Sequence, residues 1–234
     1  MRVHDVELGD GFFNRILIRF ISMVSGMRLP DAARIVMYHK KFYGDQMSAW
    51  THAAMRCKSG WTVGERELMA AITAKWNECP FCIEAHGAIA SLELGNSMVN
   101  SILADKEQPG LSEKLKAALV FLEKLTLYPD KINIADIRTV FEKGVTHEEL
   151  EDAIAVTSLF GIMTLCANAF NFAILTKSDL EKAAKRMLAE GYVFGKKGIP
   201  ERPNHSSMAE ILRQRIFEGE EITNSSLRQA VGNR

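Results

Sequence analysis

Along these 234 residues no run alternates apolar and polar side chains between hairpin turns, whereas signals that start and stop helices recur along the chain. The expected fold is therefore all-α. Thr62 and Glu65 have capping-box spacing, in which the Thr hydroxyl accepts an early helical N–H and the Glu reaches back, so a helix should run from there to about Trp76. Pro80 suits a first helical position, where its missing N–H would lack a partner anyway; the next helix should start at Cys79 or Pro80 and stop before Gly95. Further helices are predicted from Ser112 to Tyr128 and from Ile134 to Lys143, closed by Pro129 and Gly144. Thr146–Glu149 and Ser178–Glu181 repeat the capping-box spacing, the latter opening a helix that should end at Gly191. Upstream, Pro30 can open a helix through Tyr38, and another should follow the Gly44 break through Met55.

Two apolar stretches need separate treatment. GFFNRILIRFISMVSG is interrupted by Arg15 and Arg19 and reads as an amphipathic helix whose Phe12, Ile16, Phe20 and Met23 pack on a core or a partner subunit; lying on a membrane surface is the weaker alternative. AIAVTSLFGIMTLCANAFNFAIL is long enough to cross a bilayer. Thr157, Ser158, Thr164, Asn168 and Asn171 interrupt it, which favours a central core helix wrapped by others. After Gly191 the segment YVFGKKGIPERPNHSS is rich in Gly, Pro and charge and predicts a linker toward a short helix around Met208 to Phe217. The chain thus divides into a helical domain, 1–190, and an extension, 191–234, expected to dock on the core or a neighbouring subunit.

Charge excludes several function classes. Lys plus Arg and Asp plus Glu number 29 each, so no global field points to nucleic acid, an anionic membrane or a highly charged substrate. Asp5, Glu7 and Asp10 stand where an export signal would be basic, and no glycine-rich phosphate loop occurs. Four cysteines, two of them three residues apart, suit a reducing compartment, and the cytoplasm is expected.

The chemistry concentrates in NECPFCIEAHG. Cys79, Cys82 and His86 fall at i, i+3 and i+7 of one helix and so share a stripe. A thiol must become a thiolate to attack a peroxide or disulfide, and its pKa falls at a helix N-terminus or beside an imidazole. Cys79 has the first environment. Cys82, one turn before His86, has the second. Their spacing also lets a sulfenic acid on one be resolved by the other as a disulfide. A carboxylate would fix the His86 tautomer, and Glu67 on the preceding helix is the candidate. Competing readings are a zinc site, which needs a fourth ligand such as Cys57 or Glu67, and a structural disulfide closing too short a loop to stabilise much. Cys57 and Cys166 read as inert buried thiols, His147 as a solvated first-turn residue, His52 as no ligand, and Arg34 with Lys40 and Lys41 as a solvated face.

The stretch WTVGERELMAAITAKWNECPFCIEAHGAIA resembles the signature of the AhpD-like family, which includes the carboxymuconolactone decarboxylases: a Glu, then Cys-x-x-Cys-x-x-x-His beginning twelve residues later. The resemblance is strong over residues 30–95 and extends to about 175. It implies an AhpD-like helical bundle in which Glu67, Cys79, Cys82 and His86 form a proton relay within a cavity of a homo-oligomer. The implied activity is alkyl hydroperoxide reduction without a bound cofactor, with electrons returned by a dithiol donor. Within the cysteine pair, helix-end placement favours Cys79 as the nucleophile and imidazole contact favours Cys82; on the latter reading His86 deprotonates Cys82, which attacks the peroxide, and Cys79 closes the disulfide. One position departs from the pattern: well-studied peroxidase members carry His between the cysteines, where this chain has Phe81. Two alternatives stay open, a lyase or isomerase acting on a small cyclic acid through Glu67 and His86, and a non-enzymatic redox-sensing oligomer.

Overall fold

Three hydroxyl oxygens, two of them paired with a glutamate, set the frame of the molecule. Thr62 Oγ1 accepts from the Glu65 N–H at 3.1 Å while Glu65 Oε2 accepts from the Thr62 N–H at 2.8 Å, and Thr146 and Glu149 repeat the exchange at 3.2 and 2.8 Å. Ser112 Oγ accepts from Leu115 N at 3.1 Å. Each supplies a partner for helical N–H groups that have none within the helix. The structure, a computed structural model, describes residues 2–9, 11–38, 44–104 and 110–192.

Among these residues the chain forms helices and no strands: α1 (His4–Leu8), α2 (Phe12–Ser25), α3 (Asp31–Tyr38), α4 (Asp45–Arg56), α5 (Val63–Trp76), α6 (Pro80–Leu94), α7 (Asn96–Leu103), α8 (Glu113–Leu127), α9 (Ile134–Glu142), α10 (His147–Phe170) and α11 (Lys177–Glu190). The fold is all-α, as the missing two-residue period requires. At its centre α5 and α6, joined only by residues 77–79, pack side by side. Helix α10 lies on α4, α5 and α8, and α11 lies on α6. Ten of the fourteen α5 residues are buried, and Leu68, Met69, Met55, Leu122, Leu159 and Phe160 are among the most deeply buried residues of the core.

Several expectations need correction. The third cap is Thr176, whose hydroxyl accepts from Asp179 N at 3.2 Å; Ser178 lies inside the first turn, so the spacing was right and the register two residues late. Helices α1 and α7 were not foreseen, the first being five residues and the second directly following Gly95. In α2 only Ile18 is buried; Phe12, Ile16, Phe20 and Met23 are 50–73% exposed and do not pack on this chain's core. Helix α10 is wrapped on one side only, because Ile162 and Leu165 are exposed. It is the one helix among the described residues long and apolar enough to cross a membrane, and its buried face packs against α4, α5 and α8.

Arg34 is buried, not solvated: its Nε donates to the Leu29 carbonyl at 2.8 Å and its Nη1 to the Glu7 carbonyl, while Lys40 and Lys41 lie outside the described residues. His147 stacks on Phe141 at 6.2 Å instead of standing in solvent, and Cys57 and Cys166 are half-buried instead of buried. Tyr192, at the start of the extension, packs against the helical core; residues 193–234, with the expected helix, lie outside the described residues.

Candidate active site

The turn between α5 and α6 determines where the cysteines sit. Glu78 adopts φ 51°, in the left-handed region that costs an ordinary residue energy. Helix α10 clamps this turn: Asn168 Nδ2 donates to the Asn77 and Glu78 carbonyls at 3.1 and 3.4 Å, and Asn77 Nδ2 donates to Thr164 Oγ1 at 3.1 Å. Cys79 follows as the N-cap of α6, with Pro80 in the first turn. Both cysteines are free thiols buried among Val6, Ile35, Ala74, Phe81, Ala167 and Phe172.

The Cys82 thiol hydrogen-bonds to Cys79. That bond holds Cys79 down at about 7 against the opposing effect of burial, and backbone N–H groups of Cys82 and Phe81 add to it. Cys82 moves the other way, because it keeps the shared proton and is itself buried. Of the two thiols, Cys79 is therefore the one that loses its proton more readily. Helix-end placement alone had pointed that way.

His86, one turn after Cys82 on α6, places Nδ1 2.7 Å from Glu67 Oε2, so α5–α6 packing unites the two residues as the sequence suggested. Glu67 is fully buried. Burial pushes its carboxyl up, but the bond and charge of His86, followed by Arg56, more than offset this and hold it below the ordinary carboxylate range. An ionised carboxylate can only accept, so Nδ1 carries the His86 proton and a neutral ring leaves Nε2 with its lone pair.

Two further residues complete this cluster, and sequence reasoning missed both. Arg56 Nη2 pairs with Glu67 Oε1 at 2.8 Å. Tyr192 Oη lies 2.8 and 3.1 Å from the two Glu67 oxygens and 3.3 Å from His86 Nδ1, with the Arg56 guanidinium 4.9 Å above its ring. Burial and the Glu67 charge push the Tyr192 hydroxyl well up, so it remains a donor. Tyr192 directly after Gly191 offered no periodic signal, and the linker-like composition that follows hid it.

Cys82, His86 and Tyr192 border a cavity of about 190 Å³ lined almost wholly by apolar side chains, among them Met47, Ile89, Met163 and Leu180. An apolar cavity of roughly 150 Å³ already accommodates benzene. Phe81, 9% exposed, both lines this cavity and packs edge-on against Phe172 at 5.2 Å. Among the described residues no group of three or more His, Cys, Asp and Glu side chains has the arrangement to hold a metal ion.

No protein-family model and no curated protein matches the chain. Solved structures do. An uncharacterized peroxidase-related protein from Ralstonia eutropha JMP134, described as an alkylhydroperoxidase AhpD core, superimposes with a TM-score of 0.62 at 24% identity, covering 79% of this chain and 95% of its own. An uncharacterized peroxidase-related protein from Silicibacter sp. TM1040 gives 0.62 at 20% identity, covering 73% of this chain and 87% of its own. The helices of the described residues, with α5 and α6 at the centre, make an AhpD-like all-helical fold.

Proposed function

We propose that the protein is a thiol-dependent peroxidase that reduces small apolar hydroperoxides through a Cys79/Cys82 dithiol–disulfide cycle. The observation that carries this reading is the cavity wall. Cys82 and His86 both border an apolar chamber, while Glu67 occupies His86 Nδ1 and leaves Nε2 available. The fold shared with proteins described as peroxidase-related supports it at the coarser level.

The cycle divides the work between the sulfurs. Cys82 borders the cavity, so it attacks, its proton passing to His86 Nε2 as the Glu67 carboxylate stabilises the imidazolium. The thiolate takes the distal peroxide oxygen, the O–O bond breaks, and the departing alkoxide recovers the proton from His86 as an alcohol. Cys82 is now a sulfenic acid. Cys79, already a thiolate, attacks that sulfur; the S–S bond forms and hydroxide leaves, becoming water with the proton Cys79 had released. An external dithiol returns two electrons. A low Cys79 pKa suits the resolving step, and the high proton affinity of Cys82 is the reason a general base is needed.

The cytoplasm and a homo-oligomer belong to the same proposal. Exposed apolar side chains on α2 and α10 support association. A cyclic-acid lyase would need a cation for the substrate carboxylate, and Arg186 at the cavity wall already engages Glu190 at 2.8 Å. The test is multiple-turnover consumption of cumene hydroperoxide with dithiothreitol as donor. Cys79→Ser and Cys82→Ser should each abolish turnover; turnover that survives Cys79→Ser would remove the dithiol cycle, and a disulfide without turnover would favour redox sensing.

A further inference from the structure

Glu67 is a carboxylate at the centre of the bundle, and a buried carboxylate with too few donors takes up a proton. A protonated Glu67 would donate to His86 Nδ1, moving the ring proton to Nε2 and removing the acceptor from the cavity. Something must prevent this. His86 contributes most, and two further groups reach Glu67 from outside the α5–α6 pair: Arg56 from the end of α4, and Tyr192 from just beyond α11.

We propose that Arg56 and Tyr192 are positioning residues that hold Glu67 as a two-sided acceptor and thereby fix His86 with its proton on Nδ1 and Nε2 open to the cavity. This deepens the peroxidase reading and rests on it for the purpose of the open nitrogen. The geometry is built. Arg56 also donates to the Met55 carbonyl at 2.9 Å and the Met187 carbonyl at 3.0 Å, binding α4 to the end of α11. Gly191 turns the chain at φ 72°, and a Cβ there would meet the His52 ring at 2.8 Å, so glycine is required where the chain swings Tyr192 inward. Tyr192 N then donates to His52 Nδ1 at 3.3 Å and Ser48 Oγ donates to the Tyr192 carbonyl. Both backbone groups of Tyr192 are thus bonded to α4 before its hydroxyl reaches Glu67.

The titratable and charged groups around Glu67 can be named by element. Helix α4 supplies Arg56 and His52, α5 itself Arg66, α6 His86 and the two cysteines, and α11 Arg186 at the cavity wall. From α10 the neighbour of His86 is the Phe160 ring, edge-on at 4.4 Å. Arg56, His86 and Tyr192 contact the carboxylate directly. Removing a donor leaves the carboxylate more basic, so the Glu67–His86 pair takes up its next proton at a higher pH.

The experiment is nitrogen NMR of the histidine-labelled full chain across pH, beside the pH profile of thiol loss to cumene hydroperoxide, for Tyr192→Phe, Arg56→Gln and Arg56→Lys. In the unaltered chain His86 should be the Nδ1–H tautomer at neutral pH. Tyr192→Phe should raise the protonation pH of the pair by about one unit, a tenfold change in proton affinity, and move the acid limb of thiol loss equally. Arg56→Gln should raise it further and Arg56→Lys restore most of the difference; if Arg56→Gln fails to fold, Tyr192→Phe decides. An unchanged His86 titration and tautomer in Tyr192→Phe, whatever its thermal stability, would overturn the inference. The NMR readout does not involve peroxide, so intact thiols with a shifted titration would refute the peroxidase reading alone.

Discussion

Helices α2 and α5 have the same length, yet ten residues of α5 are buried and only Ile18 of α2 is. Helix α5 is covered on every side by α4, α6, α8 and α10, so even Glu67 and Arg66 have to find partners inside. Helix α2 has the clearer apolar stripe but presents Phe12, Phe13 and Met23 to the outside at 72–84% exposure. An amphipathic pattern says that a face gains by being covered; it does not say by what. The contrast locates the chemistry as well, since a buried carboxylate can be held in one protonation state and a solvated one cannot be held so firmly.

That contrast can be tested at several strengths. His86→Gln should slow peroxide-driven loss of the thiols by about 10²–10⁴-fold, the usual range for a general acid–base group, whereas Phe13→Ser should leave the rate unchanged. Stopped-flow thiol quenching separates the two. Next in size, Leu68→Ala should cost about 2–5 kcal/mol in urea unfolding, and Phe13→Ala within about 0.5 kcal/mol at low protein concentration. A Phe13→Ala cost that grows with protein concentration would mean that a second copy covers α2.

Alkylation by iodoacetamide, mapped by mass spectrometry, should show Cys79 reacting with a midpoint of about 7. In Cys82→Ala the midpoint should rise, because the donor that lowers it is gone; an unmoved midpoint would refute the thiol–thiol bond as its cause. The smallest effect concerns a cap. Thr176→Ala should cost about 1 kcal/mol and Ser178→Ala clearly less, with the order inverted if the helix began where the sequence first suggested.

Local signals carried most of the fold. Thr62, Ser112 and Thr146 announce helices through bonds made within four residues, so spacing alone locates them. Thr176 was displaced because Thr176–Asp179 and Ser178–Glu181 offer overlapping caps, and packing of α11 on α6 accompanies the earlier one. At the site, Cys79, Cys82 and His86 were legible from one helical turn after another. Glu67 was legible because α5 and α6 are neighbours in sequence. Arg56 and Tyr192 were not, since each reaches Glu67 only through the packing of α4 and α11, and a single Tyr beyond a helix cap carries no periodicity. The direction of the Cys79–Cys82 bond was equally hidden, because it depends on burial and on which thiol donates.

The most direct test of the peroxidase reading is thiol titration of the purified protein before and after one equivalent of cumene hydroperoxide, with mass spectrometry to locate any bridge. Rapid loss of two thiols per chain as a Cys79–Cys82 disulfide, with Cys57 and Cys166 unchanged, is the expected result. Survival of both thiols in excess peroxide would contradict it and leave the Glu67–His86 pair to a chemistry that does not use the sulfurs.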